Sequence, residues 1–173
     1  MELMTESKKQ LDRKTLNFLT YIIANMANPT KTALIKMSYL CDLAAMNSGI
    51  EKITSFDYIR YYYGPYDKRI EDFLFELAKK RIIKARTLYT MRGEEYEEFS
   101  IAEQDDEKLT NIAKDFSEQE RSVIDSILET LGEFSAKALT QVAYRTAPMK
   151  ALGATLGGDE HLGEKINLSI KKC

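Results

Sequence analysis

The sequence predicts a mainly α fold, a compact helical domain with one short β-hairpin, winged-helix-like in outline. Three observations carry this. Apolar residues recur at three- and four-residue spacing in separate stretches along most of the chain. One stretch alone, about residues 82–101, changes to a period of two on both sides of Arg92-Gly93. Punctuation by Asn28-Pro29, Asn47-Ser48-Gly49, Gly64-Pro65, Gly132 and Pro148 keeps each element short.

The first helix carries Leu16, Leu19, Ile22, Ile23 and Met26 as one apolar stripe. Asn28-Pro29 ends it, because proline drives its predecessor out of the helical region. Thr30 or Thr32 caps a second helix with Leu34, Met37, Leu40, Cys41 and Ala44 on one face, and Gly49 stops it. From Thr54 to Tyr63, Phe56, Tyr58, Arg60 and Tyr62 alternate with Asp57, Ile59, Tyr61 and Tyr63. This stretch is either extended or a short helix, and periodicity does not choose between them. Pro65 suits the first turn of a third helix, with Ile70, Phe73, Leu74, Leu77 and Ala78 on its apolar side.

Ile83, Ala85, Thr87 and Tyr89, then Phe99 and Ile101, give the hairpin its two strands. Glu103–Glu107 reads as a loop or a frayed helix start. Ser117 followed by Glu120 is a capping-box signature ahead of Val123, Ile124, Ile127, Leu128 and Leu131, and Gly132 closes that helix. Ser135 caps the next, with Ala138, Leu139 and Val142 inward and Pro148 at its end. Residues 1–152 are expected to form one domain. Residues 153–173, with four glycines, read as a loosely ordered tail with room for a final short helix near Leu162–Ile170.

With 44% hydrophobic and 30% charged residues, the chain falls in the range of globular domains and outside that of disordered ones. No stretch reaches the roughly 18 to 20 apolar residues of a membrane-spanning helix, and Met1–Lys14 has no apolar signal core. A soluble, cytoplasmic protein without a membrane partner is expected. The net charge of −2 conceals segregation. Residues 1–90 hold 15 Lys and Arg against 10 Asp and Glu, whereas residues 91–120 hold 3 against 11. Such clusters are solvated faces or sites that recognise a charged partner.

The residues that usually carry catalysis are scarce. The one histidine, His161, lies among glycines, and Cys41 and Cys173 form neither a disulfide framework nor a metal knuckle. No nucleophile elbow, phosphate loop or dinucleotide fingerprint is present. The carboxylates come in consecutive runs, whereas general acid–base work needs two groups held apart in a desolvated pocket. The expectation is therefore a binding protein, not an enzyme, with no cofactor and no metal.

Tyr58, Tyr61, Tyr62, Tyr63 and Tyr66 crowd around Gly64-Pro65. Tyrosine suits both core edges and interfaces, so these residues either pack or meet a partner. Lys79, Lys80, Arg81, Lys84 and Arg86 form the basic counterpart and are the candidates for nucleic-acid contact in a winged-helix reading.

Two segments carry more than composition. Lys36-Met37-Ser38-Tyr39-Leu40-Cys41-Asp42 resembles the K-x-x-Y-L-x-D helix of the Panacea domain, also known as the SocA-like antitoxin or phage-associated GepA-type family. Tyr63-Gly64-Pro65-Tyr66 resembles the Y-G-P element of the same family. A third similarity is the helix from Ser135 followed by Pro148, with Met149 where the family commonly has tryptophan. The resemblance spans roughly residues 11–152. It implies an antitoxin of a toxin–antitoxin system that neutralises a cognate toxin, encoded by an adjacent gene, through direct protein contact without a cofactor. Lys36, Tyr39, Asp42, Gly64 and Pro65 then either hold the fold together or touch the toxin. Asp42 is placed to accept from a tyrosine or a free backbone N–H. Tyr61, Tyr63 and Tyr66 are the candidate anchors.

The alternative is a winged-helix DNA-binding transcriptional regulator with operator DNA as its partner. The acidic hairpin works against it, since Glu94, Glu95, Glu97 and Glu98 would face phosphate. A third reading, an adaptor that delivers a client to a protease, rests only on the tail from Gly153 to Cys173.

Overall fold

The computed structural model describes residues 11–170; the charged stretch up to Gln10 and the terminal Cys173 lie outside the described residues. α1 (Arg13–Asn25) starts at Asp12, whose carboxylate accepts from the Thr15 N–H. It stops before Asn28, which takes a φ of 42° ahead of Pro29. α2 (Lys31–Asn47) is capped by Thr30, and Gly49 at φ 84° leads the chain away.

α2 is the axis of the molecule. The spacing predicts one apolar face, yet every residue from Ala33 to Leu43 is buried, Lys36, Ser38 and Asp42 included. The reason is tertiary, because other elements pack around α2 on several sides and leave it no solvent face. Each polar side chain on it therefore needs an internal partner.

After an irregular stretch come β1 (Ile59–Tyr61) and β2 (Gly64–Tyr66), an antiparallel pair with Arg60 opposite Pro65 and Tyr61 opposite Gly64. Tyr62 and Tyr63 are the two-residue turn between them. Pro65 thus lies in a strand, not in the first turn of a helix as its sequence context predicts. The strand accommodates it because the Arg60 N–H and C=O point the other way, toward Glu164 and Gly163. Pro65 therefore occupies a position where the ladder requires no N–H. α3 (Ile70–Lys79) follows, burying Ile70, Phe73, Leu74 and Leu77 as its periodicity predicts.

The expected hairpin is β3 (Ile83–Tyr89) and β4 (Glu95–Ile101), paired from Ile83 opposite Ile101 to Tyr89 opposite Glu95. Glu103–Glu107 leads into a helix, α4 (Asp106–Ala113), with Asp105 as cap. Its opening acids suit the positive end of the helix dipole. α5 (Glu118–Leu131) has the full capping box of Ser117 and Glu120. α6 (Ala136–Tyr144) starts at Ser135. Pro148 does not end this helix. It lies in the first turn of a separate one, α7 (Ala147–Leu152), which Gly153 closes at φ 76°.

Beyond Gly153 the described residues form no helix, so the short helix expected near Leu162–Ile170 is absent. That segment runs alongside β1 instead. The Arg60 N–H donates to Glu164 O at 2.8 Å, Gly163 N–H to Arg60 O at 2.7 Å, and Ile166 N–H to Tyr58 O at 3.0 Å. Ala154, Ile166 and Leu168 are buried against the core. Among the described residues no helix is long and apolar enough to cross a membrane.

Candidate partner-binding surface

Lys36, Tyr39 and Asp42 leave α2 at three-residue spacing, and each reaches a different neighbour. Lys36, 2% exposed, donates from Nζ to the Pro65 carbonyl at 2.7 Å. The two sequence motifs are therefore directly bonded to each other. Burial, reinforced by the nearby Arg60 charge, pushes the Lys36 pKa down from 10.5 to about 7.

The Tyr39 hydroxyl bonds Thr146 Oγ1 at 2.7 Å, at the junction of α6 and α7, and its ring meets Tyr58 edge-on with centroids 5.4 Å apart. Burial pushes the Tyr39 hydroxyl pKa up to about 12. Asp42 is fully enclosed and accepts four hydrogen bonds. They come from Ile53 N–H at 2.8 Å, Thr54 N–H at 3.0 Å, Thr54 Oγ1 at 2.5 Å and the Tyr58 hydroxyl at 2.7 Å. Both donor types expected for Asp42 are present. Its enclosure raises the carboxyl pKa against the opposing pull of those donors.

Arg60 is as deeply buried as any of these, and sequence reasoning gave it no role. Its guanidinium donates to the carbonyls of Tyr61, Thr155 (3.1 Å) and Gly158 (2.8 Å) and lies 5.5 Å from the Tyr144 ring centroid. It joins β1 to the segment after α7. The available signal was its position in phase with Phe56 and Tyr58, both buried. A basic side chain in the inward phase of an alternating run requires enclosed acceptors. Gly64, at φ 95°, passes beneath the same tyrosine, and a Cβ there would lie 3.2 Å from its ring.

The remaining tyrosines point outward. Tyr61, Tyr62 and Tyr63 are 45%, 54% and 68% exposed. Tyr61 stacks on Tyr66 with centroids 5.2 Å apart and meets Tyr62 edge-on at 4.9 Å. Tyr66 donates to Glu71 Oε1 at 3.1 Å, and Lys31 pairs with the same carboxylate at 2.7 Å. The cluster thus divides, with Tyr58 in the core and an aromatic tip at the β1–β2 turn.

The basic candidates form no single patch. Lys79, Lys80 and Arg81 are exposed around the end of α3, where Lys80 pairs with Glu76. Lys84 and Arg86 project from one face of the β3–β4 hairpin, and Arg86 pairs with Glu98. Among the described residues, no group of three or more His, Cys, Asp or Glu is placed to hold a metal ion.

These geometries bear on the comparisons with known proteins. A family model described as Antitoxin SocA-like, Panacea domain, matches residues 34–148. No curated protein and no solved structure matches the chain. The matched range opens on α2, includes the Lys36–Pro65 bond and the aromatic tip, and closes on Pro148 in α7. It covers well over half of the 173 residues, and the chain belongs to the SocA-like antitoxin, Panacea domain, family.

Proposed function

We propose that this protein is a non-catalytic antitoxin that neutralises a cognate toxin by direct protein–protein contact, with the aromatic tip of the β1–β2 hairpin at the centre of the interface. Family membership supports the antitoxin role in general. The observation that carries the finer reading is the division of labour around Gly64-Pro65. Lys36, Tyr39, Asp42 and Pro65 are engaged inside the fold, whereas Tyr61, Tyr62 and Tyr63 are exposed on the turn they brace. Braced aromatic residues lose little side-chain entropy on binding and are the usual anchors of protein interfaces. An interface of standard size would bury about 1,200–2,000 Å² in total.

The test is co-expression with the product of the adjacent gene. Relief of growth arrest and co-purification are expected, and both are lost in the Tyr61→Ala/Tyr63→Ala double variant. Persistent arrest with the unaltered protein, and no complex, overturns the reading.

The order helix, helix, short strand pair, helix, hairpin supports a winged-helix regulator only in outline. The surface does not favour DNA, because Glu94, Glu95, Glu97 and Glu98 crowd the hairpin while Arg86 and Lys80 are already paired. Retarded migration of promoter DNA at low salt would restore that alternative.

A further inference from the structure

A groove of about 580 Å³ runs between α3 and the β3–β4 hairpin, and Thr30, Lys31 and Thr32 at the start of α2 also line it. Leu74, Phe75 and Ala78 line its helical side. Phe75 is 69% exposed, an unusual position for a phenylalanine on a helix whose opposite face is already buried. The hairpin side follows from strand register. Ala85, Thr87 and Tyr89 stand opposite Phe99, Glu97 and Glu95, and directly opposed residues of an antiparallel pair share one face. That face is apolar at its base, at Ala85 and Phe99, and acidic toward its tip, at Glu97 and Glu95. The basic Lys84 and Arg86 alternate onto the other side.

The lining therefore holds three carboxylates, of Glu71, Glu95 and Glu97, against the single ammonium of Lys31. That ammonium is already paired with Glu71. Glu95 and Glu97 make no ion pair among the described residues, and the surrounding residues 91–120 are the most acidic part of the chain. Glu71 also accepts from Tyr66, so the groove is continuous with the aromatic tip.

We infer that this groove receives an amphipathic, basic segment of the protein partner, with its apolar side chains against Phe75, Ala78 and Ala85 and its Lys or Arg side chains against Glu95 and Glu97. The inference deepens the proposed toxin contact and rests on that reading for the identity of the partner, but not for the chemistry of the groove. Apolar anchors inserted between opposite charges are the general form of helix-in-groove recognition. The unpaired carboxylates add steering and exclude acidic segments.

The probes are a short labelled amphipathic peptide of leucine and lysine and its leucine–glutamate counterpart, titrated into the full chain. The leucine–lysine peptide is expected to bind, with affinity falling as salt rises, and the acidic peptide is not. Glu95→Lys/Glu97→Lys and, separately, Phe75→Ser should each weaken binding by about tenfold or more. Reversal of Glu129 and Glu133, equally acidic, exposed and outside the groove, should leave it within about twofold. No binding of the basic peptide, equal binding of both peptides, or equal weakening by the Glu129/Glu133 reversal overturns the inference. Growth rescue separates the two readings. Rescue lost in Tyr61→Ala/Tyr63→Ala but retained in both groove variants overturns the groove as a partner surface and leaves neutralisation standing. Arrest that the unaltered protein fails to relieve overturns neutralisation, while the peptide titration still decides the groove.

Discussion

The Lys36 ammonium donates a 2.7 Å hydrogen bond to the carbonyl of Pro65, joining the central helix to the β1–β2 hairpin that presents the exposed tyrosines. Burial, reinforced by the Arg60 charge, leaves its proton weakly held.

A pH dependence follows. The unfolded chain retains the Lys36 proton up to the ordinary value of 10.5, whereas the folded chain releases it near 7. Between these values folding expels a proton, so the contribution of this site to stability rises with pH across that window, with a limiting slope of about 1.4 kcal/mol per pH unit. Urea unfolding of the unaltered chain and of Lys36→Met at several pH values isolates the effect. The stability of the unaltered chain relative to the variant should climb from pH 7 upward, and a flat difference would contradict the prediction.

Asp42 presents a sharper case. Asp42→Ala leaves four buried donors without their acceptor, and the expected loss is about 3–5 kcal/mol. Asp42→Asn keeps one carbonyl oxygen and should lose less. Equilibrium denaturation of both variants checks the order, which fails if Asn is as damaging as Ala.

Arg60 is predicted to hold the segment after α7 in place. In Arg60→Met the carbonyls of Thr155 and Gly158 lose their donor, and the backbone amides at position 60 and of Gly163 and Ile166 should exchange faster than those of α2. Hydrogen exchange resolved by segment reads this directly. Uniform acceleration across the molecule would instead mean that Arg60 supports the whole core.

Ser117→Ala removes one half of the capping box at the head of α5 and should destabilise the chain by about 0.5–2 kcal/mol, with the fold unchanged by circular dichroism. The Tyr61→Ala/Tyr63→Ala variant should lose no more than about 1–2 kcal/mol, because Tyr63 is exposed and Tyr61 gives up only its ring contacts with Tyr66 and Tyr62. A large loss of stability there would assign these tyrosines to the fold.

How far the sequence was legible depended on whether a signal was local. The stops at Pro29 and Gly49 and the capping box at Ser117 were settled by residues within a turn of each boundary. The β3–β4 hairpin was visible because its alternation runs for seven residues in each strand. β1 and β2 have three residues each, too few for a period to declare itself, and Pro65 mimics a helix start. The burial of Lys36 and Arg60 was hidden for another reason. It is imposed by elements remote in sequence, and a helical wheel drawn for α2 alone shows the lysine facing outward. Tyr39 and Asp42 were singled out by motif, but their partners Thr146, Thr54 and Tyr58 were not.

The two-residue turn at Tyr62 and Tyr63 hangs from internal bonds that its own side chains do not make. Substitution at these two positions changes the exposed surface without removing any of those bonds. Under the proposed function, the contact made at this corner is separable from the bonds that hold the fold.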